Sequence, residues 1–256
     1  MRPVWKGSLS FALVNIPIKL YTATSPKEIR FKTLCGACHT PIMYKKWCPT
    51  CNEEATEVKK GYKIAEADYV IVEDEDFERI KLKSSKVIEL NQFVDKDKLP
   101  SVYYEKSFYL APEESAVKVY SLFHQTLLNL GKLGIGTVTM RNREYTVAVE
   151  AYQHGLVMHT LYYATEVKPM DEVKELKELA EPGQEELQLA EELVGRMTNE
   201  KLDLQRYKDK YTEALKELIR AKAAGEIIKI KEYKEERKEE VGLMETLKAS
   251  LESIKK

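Results

Sequence analysis

The spacing of apolar positions changes character three times along the chain. Leu9, Phe11 and Leu13 alternate with Ser8, Ser10 and Ala12, the two-residue period of a half-buried strand. Asn15-Ile16-Pro17 is expected to interrupt it, with Ile18, Leu20 and Tyr21 resuming beyond. Pro17 has no N–H to give a ladder, so it belongs at an edge or a strand start. The apolar run Tyr69-Val70-Ile71-Val72 predicts a buried strand, and the acidic stretch 73–80 a short helix favoured by its dipole. Residues 87–90 and 107–110 predict further strands on either side of a loop at 95–100. A helical period then takes over. Ala111-Pro112-Glu113-Glu114 opens it, Val117, Tyr120, Leu127 and Leu128 share a face, and Gly131-Lys132-Leu133-Gly134 closes it. Leu122, Phe123 and Leu130 widen the apolar surface, and His124, in line with Tyr120 and Leu128, reads as a packed histidine. Residues 135–140, a tip at Arg141-Asn142-Arg143, and alternating Tyr145, Val147 and Val149 predict a hairpin; Gln153-His154-Gly155 turns into a third strand at 156–163.

From about residue 170 the aromatics thin out and charge rises. Leu187, Ala190, Leu193, Val194 and Met197 predict one amphipathic helix, and Tyr207, Tyr211, Leu215, Leu218 and Ile219 a second that ends at Ala223-Ala224-Gly225. Residues 226–240 read as a charge-laced connector, and Leu243, Leu247, Leu251 and Ile254 as a terminal stripe. Strands first and helices afterwards make a β-rich α+β chain. A hydrophobic content of 43% over 256 residues suffices for a core. No stretch approaches the roughly 20 apolar residues of a membrane span, so no membrane partner is expected.

All four cysteines fall in one short stretch, as Cys35-Gly36-Ala37-Cys38 and Cys48-Pro49-Thr50-Cys51. Two such Cys-x-x-Cys turns can bring four thiolates onto one tetrahedral ion, and zinc suits sulfur ligands in that geometry. Cys35, Cys38, Cys48 and Cys51 are therefore expected to hold a structural Zn²⁺, with no position left for a catalytic water. Two disulfides or four free thiols are the plainer alternative. His39 could replace one thiolate, though as a neighbour of Cys38 it reads better as exposed. Metal-type spacing and the lack of a secretory leader favour a reducing, cytoplasmic setting.

Net charge is −1, which by itself argues against nucleic acid, but its distribution does not. Residues 1–63 carry eleven Lys and Arg against four Glu, whereas 64–170 and 171–256 are each four charges negative. A phosphate backbone responds to that local field. Arg30 and Lys32 flank Phe31, and Lys45-Lys46 stand between Tyr44 and Trp47 in the loop joining the cysteine pairs. Arg141 and Arg143 bracket a hairpin tip from which guanidiniums can reach phosphate. Lys6 and Lys19 flank the first strands, where ordinary solvent exposure explains either alone. No Gly-rich phosphate loop, nucleophile elbow, His-Glu-x-x-His or Lys-x-Asp-Gly motif is present, and no catalytic constellation emerges. On these features a zinc-ribbon transcription or RNA-associated protein is one reading, and a metal-dependent nuclease using acids of 66–97 a weaker one.

The run Trp5-Lys6-Gly7-Ser8-Leu9-Ser10-Phe11-Ala12-Leu13-Val14-Asn15-Ile16-Pro17-Ile18-Lys19-Leu20-Tyr21 closely resembles the opening of prokaryotic Ku proteins. Gly61-Tyr62, Tyr104-Glu105-Lys106-Ser107-Phe108-Tyr109-Leu110-Ala111-Pro112, and Gly131-Lys132-Leu133-Gly134-Ile135 with Arg141 and Arg143 extend the resemblance, which covers about residues 4–228. It implies a Ku-type β-barrel core at 1–168, with a basic bridge arm at 30–61 that carries the zinc ribbon. It also implies a helical region at 169–228 for dimer packing, then a charged connector and terminal helix at 229–256 for partner contact. The implied function is binding of double-stranded DNA ends in non-homologous end joining, by a homodimeric ring with no enzymatic activity of its own. The ring would recruit an ATP-dependent end-joining DNA ligase. The implied DNA contacts are Arg30, Lys32, Lys45, Lys46, Arg141 and Arg143, with Lys6 and Lys19 behind them. Many bacterial members end in a lysine-rich tail; here 243–256 is a mixed-charge amphipathic stretch, which puts tail-assisted binding in doubt.

Overall fold

The computed structural model describes residues 1–26, 28–66, 68–80, 86–141, 143–225 and 242–253. The 226–240 connector, Ile254, Lys27 and Asn142 lie outside the described residues. The strands are β1 (Trp5–Phe11), β2 (Val14–Thr22), β3 (Trp47–Cys48), β4 (Glu53–Glu54), β5 (Lys60–Lys63), β6 (Tyr69–Val72), β7 (Val87–Asp95), β8 (Tyr104–Pro112), β9 (Lys132–Met140), β10 (Arg143–Tyr152) and β11 (Gly155–Leu161). The helices are α1 (Asp74–Arg79), α2 (Val117–Leu130), α3 (Gln184–Met197), α4 (Lys210–Ala224) and α5 (Leu243–Ser253). They fall into two compact units, one of residues 1–27 and 31–169, the other of 28–30 and 170–256.

Seven strands of the first unit close into a barrel in the order β1-β2-β8-β11-β10-β9-β7. Every pair is antiparallel except the closing one, where β1 runs parallel to β7 with Leu9 opposite Ile88. The alternation read from sequence decides which face points inward. Leu9, Ile16, Ile18, Leu20, Ile88, Val138, Val147, Val149 and Met158 are essentially fully buried in one core. Two glycines let the wall close. A Cβ on Gly136 would lie 1.9 Å from the Glu89 carbonyl oxygen, at the irregularity where β7 slips register between Leu90 and Gln92. A Cβ on Gly7 would lie 2.1 Å from the Lys86 carbonyl oxygen and 2.3 Å from the Trp5 ring.

The first turn falls at Ala12 and Leu13, earlier than the sequence suggests. Ala12 takes a φ of 48° and Leu13 is fully exposed at the tip. Asn15-Ile16-Pro17 lies inside β2, with Ile16 buried. Pro17 is tolerated because β8 pairs with β2 only from Ile18 onward, so the missing N–H faces no second ladder.

α2 contributes Tyr120, Phe123 and Leu127 to the barrel core and ends at Gly131, whose φ of 62° is the left-handed conformation of a helix C-cap. Phe123 stacks on Phe11 at 4.5 Å and meets Phe93 edge-on. Val117, Leu122, Leu128 and Leu130, expected on the apolar surface, are half or more exposed. His124 is partly covered, with its Nε2 shielded and without a hydrogen-bond partner among the described residues.

Residues 95–104 cross the outside of β9, β10 and β11. Leu99 and Tyr103 cover Leu133, Ala148 and Leu161, and Lys96 reaches Glu150 at 2.8 Å. Beneath them His159 contacts Ser107 through Nδ1 at 2.9 Å and Glu150 through Nε2 at 3.2 Å, with the Tyr104 ring edge-on. Those hydrogen bonds, first from His159 and then from Lys96, hold the Glu150 carboxyl down at about 2.

Tyr69–Val72 corrects the sequence reading. It is a strand, but among the described residues it pairs only with β5 in a two-stranded ribbon, and Tyr69, Val70 and Ile71 are about half exposed. A short apolar run does not distinguish a strand covered on both faces from one with neither face covered. The acidic helix start appears as α1, with Asp76 accepting the Glu73 N–H at 3.0 Å.

In the second unit α3 packs on α5, with Leu189, Ala190 and Leu193 half-buried on α3 and Leu251 buried on α5. Arg196 donates to the Leu251 carbonyl at 3.2 Å. α4 is capped at its start by Asp209, which accepts the Thr212 N–H at 2.9 Å, and at its end by Gly225.

Candidate nucleic-acid interface

The cysteine arm is built from two copies of one turn. In the first, the His39 N–H donates to the Cys35 carbonyl at 2.8 Å; in the second, the Asn52 N–H donates to the Cys48 carbonyl at 2.9 Å. His39 and Asn52 share a φ of 55°, so the residue after each second cysteine turns the chain in the same left-handed way. The Cys51 N–H points at the Cys48 sulfur at 3.5 Å, and the Thr40 hydroxyl lies 3.0 Å from the Cys38 sulfur. Those hydrogen bonds favour the thiolate. The Thr40 contact draws the Cys38 thiol down to about 7, the Cys51 backbone N–H lowers Cys48, and its neighbour Cys48 raises Cys51. No disulfide joins any of the four cysteines. Among the described residues no three or more His, Cys, Asp or Glu side chains gather closely enough to hold an ion, so the sulfurs stand as two pairs. A metal drawing on this arm would use Cys35, Cys38, Cys48 and Cys51.

The arm has little core of its own. Phe31, Met43, Tyr44 and Trp47 are all well exposed, and a single bridge joins Leu34 to Pro41. β3 and β4 pair across the second turn, and the Ala55 N–H donates to the Lys46 carbonyl at 2.8 Å. Lys45 is tied to Glu54 at 2.7 Å, which offsets its charge; Lys32 and Lys46 are exposed and make no ion pair among the described residues. Arg30 is exposed and groups with the second unit.

On the barrel the basic residues sit on rigid ladders. Lys6 and Lys19 are direct cross-strand partners on the outer face of β1 and β2. Like charges set opposite each other in a sheet repel, and a phosphate between them would relieve that. Arg141 and Arg143 project from the β9–β10 turn, both exposed and without an ion pair among the described residues. Arg141 takes a φ of 51° at the tip. Lys106 on β8 shares a surface depression with Arg141, a place that no sequence motif marks. Its only sequence cue is its place in an alternating strand, since its neighbourhood is set by a register that brings residue 106 opposite Thr160.

A family model described as the Ku70/Ku80 beta-barrel domain matches residues 10–189. Three full-length relatives carry the name non-homologous end joining protein Ku. That of Archaeoglobus fulgidus is 43% identical, with 100% of each chain covered. That of Heliobacterium modesticaldum is 34% identical, covering 100% of this chain and 93% of its own. That of Bacillus subtilis is 32% identical, covering 100% and 83%. No helix among the described residues is long and apolar enough to cross a membrane. With a seven-stranded closed barrel where the family model aligns and similarity to these relatives along its whole length, the chain belongs to the Ku family.

Proposed function

We propose that this protein binds the ends of broken double-stranded DNA in non-homologous end joining, as a homodimeric ring that threads onto the duplex and holds the end for an ATP-dependent DNA ligase. The observation that carries this reading is full-length similarity to relatives named for that process, on a barrel whose hairpin-borne arginines have no acidic partner among the described residues. Arg141 and Arg143 stand on an eight-pair ladder, so their guanidiniums meet phosphate from a fixed support. Lys6 and Lys19 add a second rigid pair, and Lys32 and Lys46 extend the basic surface along the arm. Contacts of this kind address phosphate and carry no base information, so end binding is indifferent to sequence. The work is binding and positioning, and no residue here is assigned a catalytic step.

The arm suits a structural zinc ion by the chemistry of its donors: four sulfurs on two matching turns, with one sulfur in each, Cys38 and Cys48, beside a hydroxyl or backbone N–H. Bound there, the ion would cross-link the two turns through Cys35, Cys38, Cys48 and Cys51, a contribution of order 10 kcal/mol in small domains that lack a core. The arm's own residues then hold Lys45 and Lys46 between Tyr44 and Trp47.

The test compares a linear duplex with a covalently closed circle of the same sequence, alongside the protein's mass in solution. A ring binds the linear form, rejects the circle, and shows a mass of two chains. Equal affinity for both forms overturns the ring.

A further inference from the structure

Among the described residues α2 stoppers one end of the barrel, the end at Phe11. β1 spans both ends: Phe11 stacks on Phe123 of α2, while Trp5, six residues earlier, lies about 20 Å away along the strand at the opposite mouth. A depression of about 280 Å³ opens there, and its lining includes Trp5, Glu105, Lys106, Arg141, Tyr145 and Thr160. The chemistry of the lining is mixed in a particular way. Trp5 and Tyr145 are half-buried aromatic rings packed against the barrel core. Arg141 is exposed and unpaired among the described residues. Lys106 and Glu105 form an ion pair at 3.0 Å. Thr160 is buried, donating to Glu105 at 3.1 Å and accepting the Lys106 N–H at 3.2 Å, which fixes the carboxylate while leaving it lone pairs to spare.

A purely apolar ligand would leave three charged groups without purpose. A bare anion would use the cations, but it would be repelled by Glu105 and gain nothing from the rings. A nucleotide uses all of them: a flat base for the aromatic faces, an amino edge for the carboxylate, and a phosphate for the cations. The volume is just under the roughly 300–1,000 Å³ of ordinary small-molecule sites, room for one nucleotide and not a strand.

We infer that the open mouth of the barrel takes a single unpaired nucleotide at a DNA end, with its base against Trp5 and Tyr145, its amino edge on Glu105 and its phosphate between Arg141 and Lys106. This rests on the proposed end binding, since it is the duplex held at the Arg141–Arg143 hairpin that would present such a nucleotide. It makes the protein sensitive to the form of the end while indifferent to the sequence of the duplex.

The experiment titrates the full chain against linear duplexes that are blunt or carry one unpaired 2-aminopurine nucleotide at the 3′ or 5′ terminus. The overhang is expected to bind about tenfold tighter than the blunt end, with 2-aminopurine fluorescence quenched by stacking. Within each variant the ratio of overhang to blunt affinity is the readout. Glu105→Gln, which keeps a hydrogen-bonding side chain at Thr160, and Trp5→Phe should both bring that ratio toward one. Equal wild-type affinities with no quenching overturn the pocket while leaving end binding intact; failure to bind any linear duplex overturns both. Free nucleoside monophosphate that abolishes the overhang advantage at micromolar concentration would mean that the mouth serves dissolved nucleotides, and would overturn its assignment to DNA ends.

Discussion

Tyr120 joins three elements through one hydroxyl. It donates to the Leu110 carbonyl of β8 at 2.6 Å and accepts the Leu156 N–H of β11 at 2.7 Å, all of it buried. Tyr120→Phe keeps the ring and strands both backbone groups, so a loss of about 1–3 kcal/mol is expected. Urea unfolding should show a lower midpoint at unchanged slope, and an unchanged midpoint would mean that water replaces the hydroxyl. Glu150 makes an acid-dependent contribution. Its carboxyl titrates at about 2 in the folded chain against an ordinary 4.5. The unfolded chain therefore takes up the proton first. The stabilisation is whole above about pH 4.5 and is lost as pH falls from there toward 2, with no more than about 3 kcal/mol at stake. Glu150→Gln should flatten the pH dependence of stability across that window and leave it unchanged above pH 5. None of the Ser107–His159–Glu150 contact was legible in the sequence, because the three residues meet only through strand register.

At the level of elements, the sequence was most informative where periodicity and turn chemistry agreed. The β9–β10–β11 hairpins, α2 with its glycine cap and the three later helices all follow from patterns that the chain states locally, except that α4 begins at Lys210, capped by Asp209, and leaves Tyr207 outside it. Pro17 has the chemistry of a strand breaker, which puts the expected first turn too late; β8 pairs only from Ile18 onward, so the proline breaks nothing. Tyr69–Val72 has the composition of a buried strand and is exposed, because hydrophobicity alone says nothing of what lies above a strand. In the cysteine arm, spacing announced both turns, while the matching left-handed residues His39 and Asn52 showed themselves only in the backbone. That arm has so little apolar burial that its order is expected to depend on the thiols. Cys48→Ser should raise amide hydrogen exchange across residues 31–61 and weaken DNA binding, with exchange in β9, β10 and β11 unaltered. Exchange rising through the barrel as well would show that the arm is part of the barrel's cooperative unit.

For the molecule as a whole, net charge is a poor guide. A chain at −1 with its positive excess in residues 1–63 presents one basic region and long acidic stretches, so its attraction to DNA is local. Local attraction has a measurable signature. Each neutralised phosphate releases counterions, so log K falls with log salt by about 0.9 per contact. Arg141 and Arg143 together account for about two such contacts on this reading. The double change Arg141→Glu and Arg143→Glu should therefore weaken binding to linear duplex at 0.1 M salt and make the salt slope shallower by about 2. The hairpin turn is exposed and buries neither side chain, so thermal unfolding should be the same as in the wild type. Lys45 serves as the internal control, because its ion pair with Glu54 already occupies it. Lys45→Gln should shift the slope less than either arginine change, since the ammonium must leave one anion to meet another. A salt slope that stays at the wild-type value in the arginine double variant would take the hairpin out of the DNA contacts, and would leave the Lys6–Lys19 pair and the arm to account for binding.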